Sequence, residues 1–318
     1  MVSLVSVFAT AILPILVVGG VGYLLGRFRT VDTDAINTLL IYVFVPALIF
    51  HSLTTTTLAQ STLARITVAI LLFHALAIAV AEAAGRLFGA SKAALAAIVI
   101  VTAFPNTGNY GVPVSNFAFG AMGRATAVVY LSVQSVLIWT VGVYIASRGN
   151  AESRLDGVKR VFSVPLVYAV VAALLARGLG VVPPAGSTAM STVQLVGDAS
   201  IPVMLLLLGI QLARTDVGST LSAVGGVVAL KMVVAPLLGI GVALAVGFTE
   251  PAVARTFVIE SAMPSAVTTV ILAAEFSEGE VAGVAVTEFV STAIFATTLV
   301  SVVTLTALIA LLQSGVVV

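Results

Sequence analysis

The chain contains no cysteine, so disulfide frameworks, thiolate nucleophiles and thiolate metal sites are all excluded, although compartment is not. Charge is equally scarce. Only 8% of the 318 residues are Asp, Glu, Lys or Arg, against about 25% in a soluble globule. Fourteen basic and thirteen acidic residues cannot coat a water-soluble fold of this size, and nucleic-acid binding is excluded. His51 and His74 are the only histidines and lie far apart, so neither suggests a metal site, and each reads as a packing residue. Enzyme signatures are missing too: there is no GxSxG, HExxH or GxxxxGK[ST]. The chain therefore reads as a non-enzyme, with no cofactor and no ATP-driven cycle of its own. A Lys/Arg-bearing leader region is absent from the first residues, so no cleaved signal peptide is expected.

What is present is long apolar runs: 60% of the residues are hydrophobic and the mean hydropathy is +1.21. A membrane span needs about 20 apolar residues as a helix. Ten stretches qualify: 2–25, 35–53, 63–87, 93–119, 125–147, 161–175, 194–212, 221–247, 253–274 and 281–312. The longest polar interruption, RGNAESRLDGVKR at 148–160, divides them into two sets of five. The expected organisation is a first five-helix repeat at 1–147, a cytoplasmic linker at 148–160 and a second repeat at 161–318. Alternate loops carry nine basic residues on one side and four on the other, which predicts a multi-pass cell-membrane protein with both termini outside.

An odd number of helices per half places the second copy upside down. Three landmarks recur in order: Pro14 with Pro165, Pro46 with Pro202, and Pro105 with Pro264. The fold class predicted is all-α integral membrane, with two inverted five-helix repeats and proline-broken crossover helices four and nine.

The segment FPNTGNYGVP at 104–113 concentrates two Pro, two Gly and two Asn inside an apolar stretch, and it cannot continue as a helix. Unwound backbone at membrane depth is tolerated only where protein buries it or a cavity receives it. ESAMPSAVTT at 260–269 repeats the pattern. Two crossing breaks would direct half-helix N-termini at an anion and carbonyl ends at a cation. Asn106, Thr107, Gly108, Asn109, Ser265, Thr268 and Thr269 are the candidate neutral donors, while Pro105 and Pro264 set the geometry. Glu260 is ionisable at depth and is a candidate proton or cation site, sodium included. Glu288, which shares a face with Ser291 and Thr292, is a further candidate. So are Lys231, either snorkelling or balancing a carboxylate, and Asp198, a candidate partner for it. Gln134, a further coupling candidate, and Ser132 are candidates to face the break, with ordinary helix packing as the equal alternative for each.

These residues resemble the auxin efflux carrier family, the PIN-like transporters. The resemblance rests on FPNTGNYGVP, LLIYVFVPALIF at 39–50, GDASIPVMLLLLGIQL at 197–212, LKMVVAPLLG at 230–239 and ESAMPSAV at 260–267. It implies a fixed scaffold from helices 1, 2, 6 and 7, a moving unit from helices 3–5 and 8–10, and carboxylate contacts at Asn106 and Asn109. It also implies an elevator-like carrier of small organic anions, and a homodimer through the scaffold helices is a candidate assembly. Ser265 stands where the second repeat of plant members offers an amide. The wider superfamily contains sodium-coupled bile-acid-type symporters, with a glutamate placed like Glu260, which makes sodium:anion symport the alternative. A non-transporting sensor or channel is the reading from a different class.

Overall fold

The computed structural model describes residues 4–147, 165–214, 219–277 and 279–317, and the linker expected at 148–160 lies outside the described residues. The described residues are helical almost throughout. In chain order the helices are α1 (Leu4–Phe28), α2 (Thr33–Thr55), α3 (Gln60–Leu87), α4 (Lys92–Ala103) and α5 (Thr107–Ala146). They continue with α6 (Pro165–Leu179), α7 (Thr188–Arg214), α8 (Gly225–Val246), α9 (Pro251–Ser261), α10 (Thr268–Phe276) and α11 (Val286–Gln313). Among the described residues seven of these are long and apolar enough to cross a membrane.

Side-chain placement matches a lipid solvent. Large apolar residues lie on the outside, with Leu195 and Val303 each 73% exposed, whereas in water such faces would need to be covered. The polar exceptions, Glu260, Lys231 and Thr297 among them, are buried inside the molecule. This is an all-α, multi-pass integral membrane protein.

Helix α1 packs lengthwise along α7, and glycine is the reason they can approach so closely. A side chain at Gly22 would collide with the backbone of Leu206, and one at Gly209 with the backbone of Gly19. Close backbone approach through small residues substitutes for the hydrophobic drive that lipid cannot supply. Helix α2 packs on both α6 and α7, and Arg177 ties α6 to the end of α2 by donating to the Leu53 and Leu58 carbonyls. On the other side of the molecule α3 packs on α4 and α8, and α9 on α5 and α8.

Several boundaries differ from the sequence expectation. Only Phe104, Pro105 and Asn106 are non-helical in the first break, because α5 restarts at Thr107 with a wide π-turn that runs directly into the regular helix containing Pro113. Helix α5 runs through to the fifth predicted span, broken only at Gly120, whose φ of 63° suits a residue without Cβ. The last span starts at Val286 rather than 281. Glu280–Val281 and Val284–Ala285 form a two-residue hairpin there, turned at Ala282 and Gly283, both with positive φ.

Candidate functional site

The two proline breaks meet. Pro105 and Ser265 face each other as an isolated antiparallel bridge, flanked by Asn106 N donating to Pro264 O at 2.7 Å and Ala266 N donating to Phe104 O at 2.9 Å. This register explains the prolines. The Pro105–Ser265 pair is the non-hydrogen-bonded kind, so Pro105 loses nothing by lacking an N–H, and Pro264 contributes only its carbonyl. Each break thus satisfies groups the other has freed, which lets both persist away from water.

Gln134 on α5 holds the first break from the side. Its Nε2 donates to Pro105 O at 2.6 Å and to Thr107 Oγ1 at 3.1 Å. Asn106 O accepts from Gly111 N at 2.9 Å, which closes the wide first turn of α5.

A cavity of about 690 Å³ lies against this crossing. One wall is Asn106, Thr107, Gly108 and Asn109 at the start of α5 with Val267 and Thr268 at the start of α10, so two helix N-termini form the wall together. Such ends carry partial positive charge and N–H groups without helical partners, which suits an anion. Asn106 is 5% exposed and its Nδ2 has no hydrogen-bond partner among the described residues. Facing that wall are Asn37 and Thr38 of α2 and Gln211 of α7, with Tyr42, Leu166 and Met204 as apolar surface. Among the described residues no lysine or arginine lines the cavity. The cavity extends to Thr33, Asp34, Pro165 and Glu275, at the end of the molecule where Arg214 donates to the Val31 carbonyl.

The remaining sequence-predicted residues fall elsewhere. Ser265 and Thr269, expected as donors to a ligand, point away from the cavity. Ser265 is fully buried with its amide donating to Thr297 Oγ1 of α11 at 3.3 Å, and the Thr269 hydroxyl is committed to Ala266 O at 2.7 Å. The helical turn at Thr268 rotates only one of the two threonines toward the space.

Glu260 is also fully buried and outside the cavity lining. Its Oε1 accepts from Ser115 Oγ at 2.6 Å, and its Oε2 has no partner among the described residues. The carboxyl group lies on the backbone of Gly111, where any Cβ would collide with it. Lys231 neither snorkels nor meets Asp198, contrary to expectation. It is 0% exposed and donates to Thr102 O, at the carbonyl end of α4, at 3.0 Å. Asp198 instead pairs with Arg124 at 2.5 Å, because the start of α5 beyond Gly120 lies beside α7. Glu288 sits exposed in the first turn of α11, outside the cavity lining, since the span begins five residues later than expected. Ser132 donates to Val128 O of its own helix at 2.7 Å rather than facing the break.

Asn37, Thr38, Gln211, Ser115 and Gly111 were not anticipated. Asn37 and Gln211 are amides inside apolar spans, a signal of the same kind that singled out Gln134. For Gly111 the sequence offers only its place between the break and Pro113.

Comparison with known proteins agrees with this architecture. Residues 7–309 match the family described as membrane transport protein. A protein of Methanothermobacter thermautotrophicus named as an uncharacterized transporter is 27% identical over 299 residues, covering 92% of this chain and 95% of that one. A protein of Rhizobium meliloti named for malonate transport is 24% identical over 305 residues, covering 92% of each. A match across nearly the whole chain, on a helical membrane fold with two broken helices crossing at a cavity, places this protein in the membrane transport protein family of auxin-efflux-carrier-like transporters.

Proposed function

We propose that the protein is a secondary carrier of small organic anions that binds a carboxylate at Asn106, Thr107, Gly108, Asn109 and Thr268. The observation that carries this reading is the cavity wall made of two helix N-termini and an unpartnered, buried Asn106 amide. Neutral donors and helix ends hold a carboxylate less tightly than an arginine pair would, which suits a ligand that must be released on the other side. The apolar surface from Tyr42, Leu166 and Met204 accommodates the rest of a small organic acid.

The mechanism we infer is elevator-like. Helices α4 with the start of α5, and α9 with α10, count as the two broken spans, which makes ten spans in two inverted sets of five. The cavity lies between α2, α6 and α7 on one side and the crossing on the other, and that division matches a fixed scaffold and a moving unit. The cavity extends to the end of the molecule that the loop charges mark as basic, so with positive residues inside it opens to the cytoplasm and both termini face outward. Glu260 serves as the coupling group of the moving unit, through a proton or a sodium ion. Its one oxygen without a donor leaves room for either.

The test is uptake into proteoliposomes with malonate as the first probe, followed by a set of mono- and dicarboxylates. Saturable uptake with counterflow, weakened in Asn106→Ala, supports the carrier. Binding without flux would mean a sensor instead. Glu260→Gln is expected to abolish any dependence of the rate on pH or sodium.

A further inference from the structure

His74 of α3 is 3% exposed and sits among the rings of Phe73, Phe104 and Tyr130, with centroids 5.4, 5.6 and 6.0 Å away. Its Nδ1 lies 2.8 Å from Ile70 O. A carbonyl can only accept, so Nδ1 carries a hydrogen in every protonation state and the neutral ring presents Nε2 as a bare acceptor. That nitrogen is buried and has no donor.

Gln134 lies one helical turn beyond Tyr130 on α5 and bonds Pro105 O beside Phe104, so it stands next to the two rings that flank His74. Its Nε2 is fixed toward Pro105 O, again an obligate acceptor, so the amide cannot be turned around and its Oε1 is left buried without a donor. Each of these two side chains therefore ends in a buried acceptor that lacks a donor among the described residues. Leaving such groups unsatisfied costs about 1–3 kcal/mol apiece.

The geometry points to His74 as a proton-binding site whose occupancy is relayed to the crossing by Gln134. One proton on Nε2 donates to Gln134 Oε1 and satisfies both orphaned atoms. The same amide holds Pro105 O and Thr107 Oγ1, so polarising it tightens the grip on the first break. The other titratable or charged groups around the ring are Lys231 from α8 and Tyr130 from α5, and Tyr130 leads through Ser261, at 3.2 Å, to the region of Glu260 on α9. His74 and Lys231 stand 157 residues apart, close to the spacing between the two breaks, so the corresponding helices of the two halves each bury a basic side chain beside the crossing. That the proton serves transport rests on the carrier reading above. The site itself does not.

The experiment exploits the two histidines. Full-length His51→Asn protein, labelled with 15N at histidine and held in lipid nanodiscs, gives one imidazole spectrum to follow across pH. The expected result is an Nδ1–H tautomer at alkaline pH that becomes doubly protonated on acidification. In Gln134→Leu the midpoint should fall by about one pH unit, the worth of a hydrogen bond to a charged group, whereas Gln134→Glu should raise it. A ring that stays neutral down to the pH of unfolding overturns the proposal, and so does a midpoint that neither variant moves. Neither outcome depends on flux, so a failed carrier assay leaves the titration intact.

Discussion

The two breaks share a backbone plan but not a chemistry. Phe104–Asn106 and Ala262–Val267 meet in a single antiparallel bridge, each ahead of a restarting helix, yet they turn different groups toward the cavity. The first presents an amide with an unpartnered Nδ2, and the second presents only Thr268 while Ser265 faces α11. Conversely, the buried carboxyl group belongs to the helix before the second break, and it rests on a glycine of the first. The difference teaches that repeated prolines fix where backbone is freed, whereas the single residues beside them fix which break binds and which braces.

Substitutions can break or sharpen that contrast. The largest effect is expected for Gly111→Ala, which thrusts a Cβ into the Glu260 carboxylate and should cost about 3 kcal/mol, read as lost heat stability of the detergent-solubilised protein. Next comes Asn106→Ala. Removing a donor to a buried carboxylate costs about 2 kcal/mol, so the KM of uptake should rise roughly thirtyfold, with stability little altered. Thr269→Val should lower stability by about 1 kcal/mol through the lost bond to Ala266 O while leaving KM in place. Ser265→Ala should leave KM unchanged, because its hydroxyl lies outside the cavity lining. An equal rise in KM for Ser265→Ala and Asn106→Ala would erase the asymmetry.

A buried cation offers a second contrast with expectation. Lys231 in an apolar span suggests either snorkelling or an acidic partner, and Asp198 is the candidate acid. The structure gives neither answer: the ammonium caps the carbonyl end of α4 through Thr102 O, and Asp198 is taken by Arg124. Hydropathy cannot register a helix end as a counter-charge, because that charge exists only once the break has formed.

By itself the sequence determined that the protein lives in a bilayer, since so few charges cannot cover a soluble surface. It also determined where helices must fail, because a missing N–H and a ring clash are local properties of proline. Pro105 and Pro264 were legible for that reason, as was the polarity of Asn106 to Asn109. Only tertiary structure decided which polar groups share a space. Rotation by one residue around a helix separates Thr268 in the cavity wall from Thr269 in the interior, and the late start of α11 removes Glu288 from the site. Packing of α3 on α5 is what makes His74, an unremarkable residue in the sequence, the neighbour of Gln134. Such pairings depend on how distant helices are rotated and staggered against each other, which no local pattern in the chain encodes.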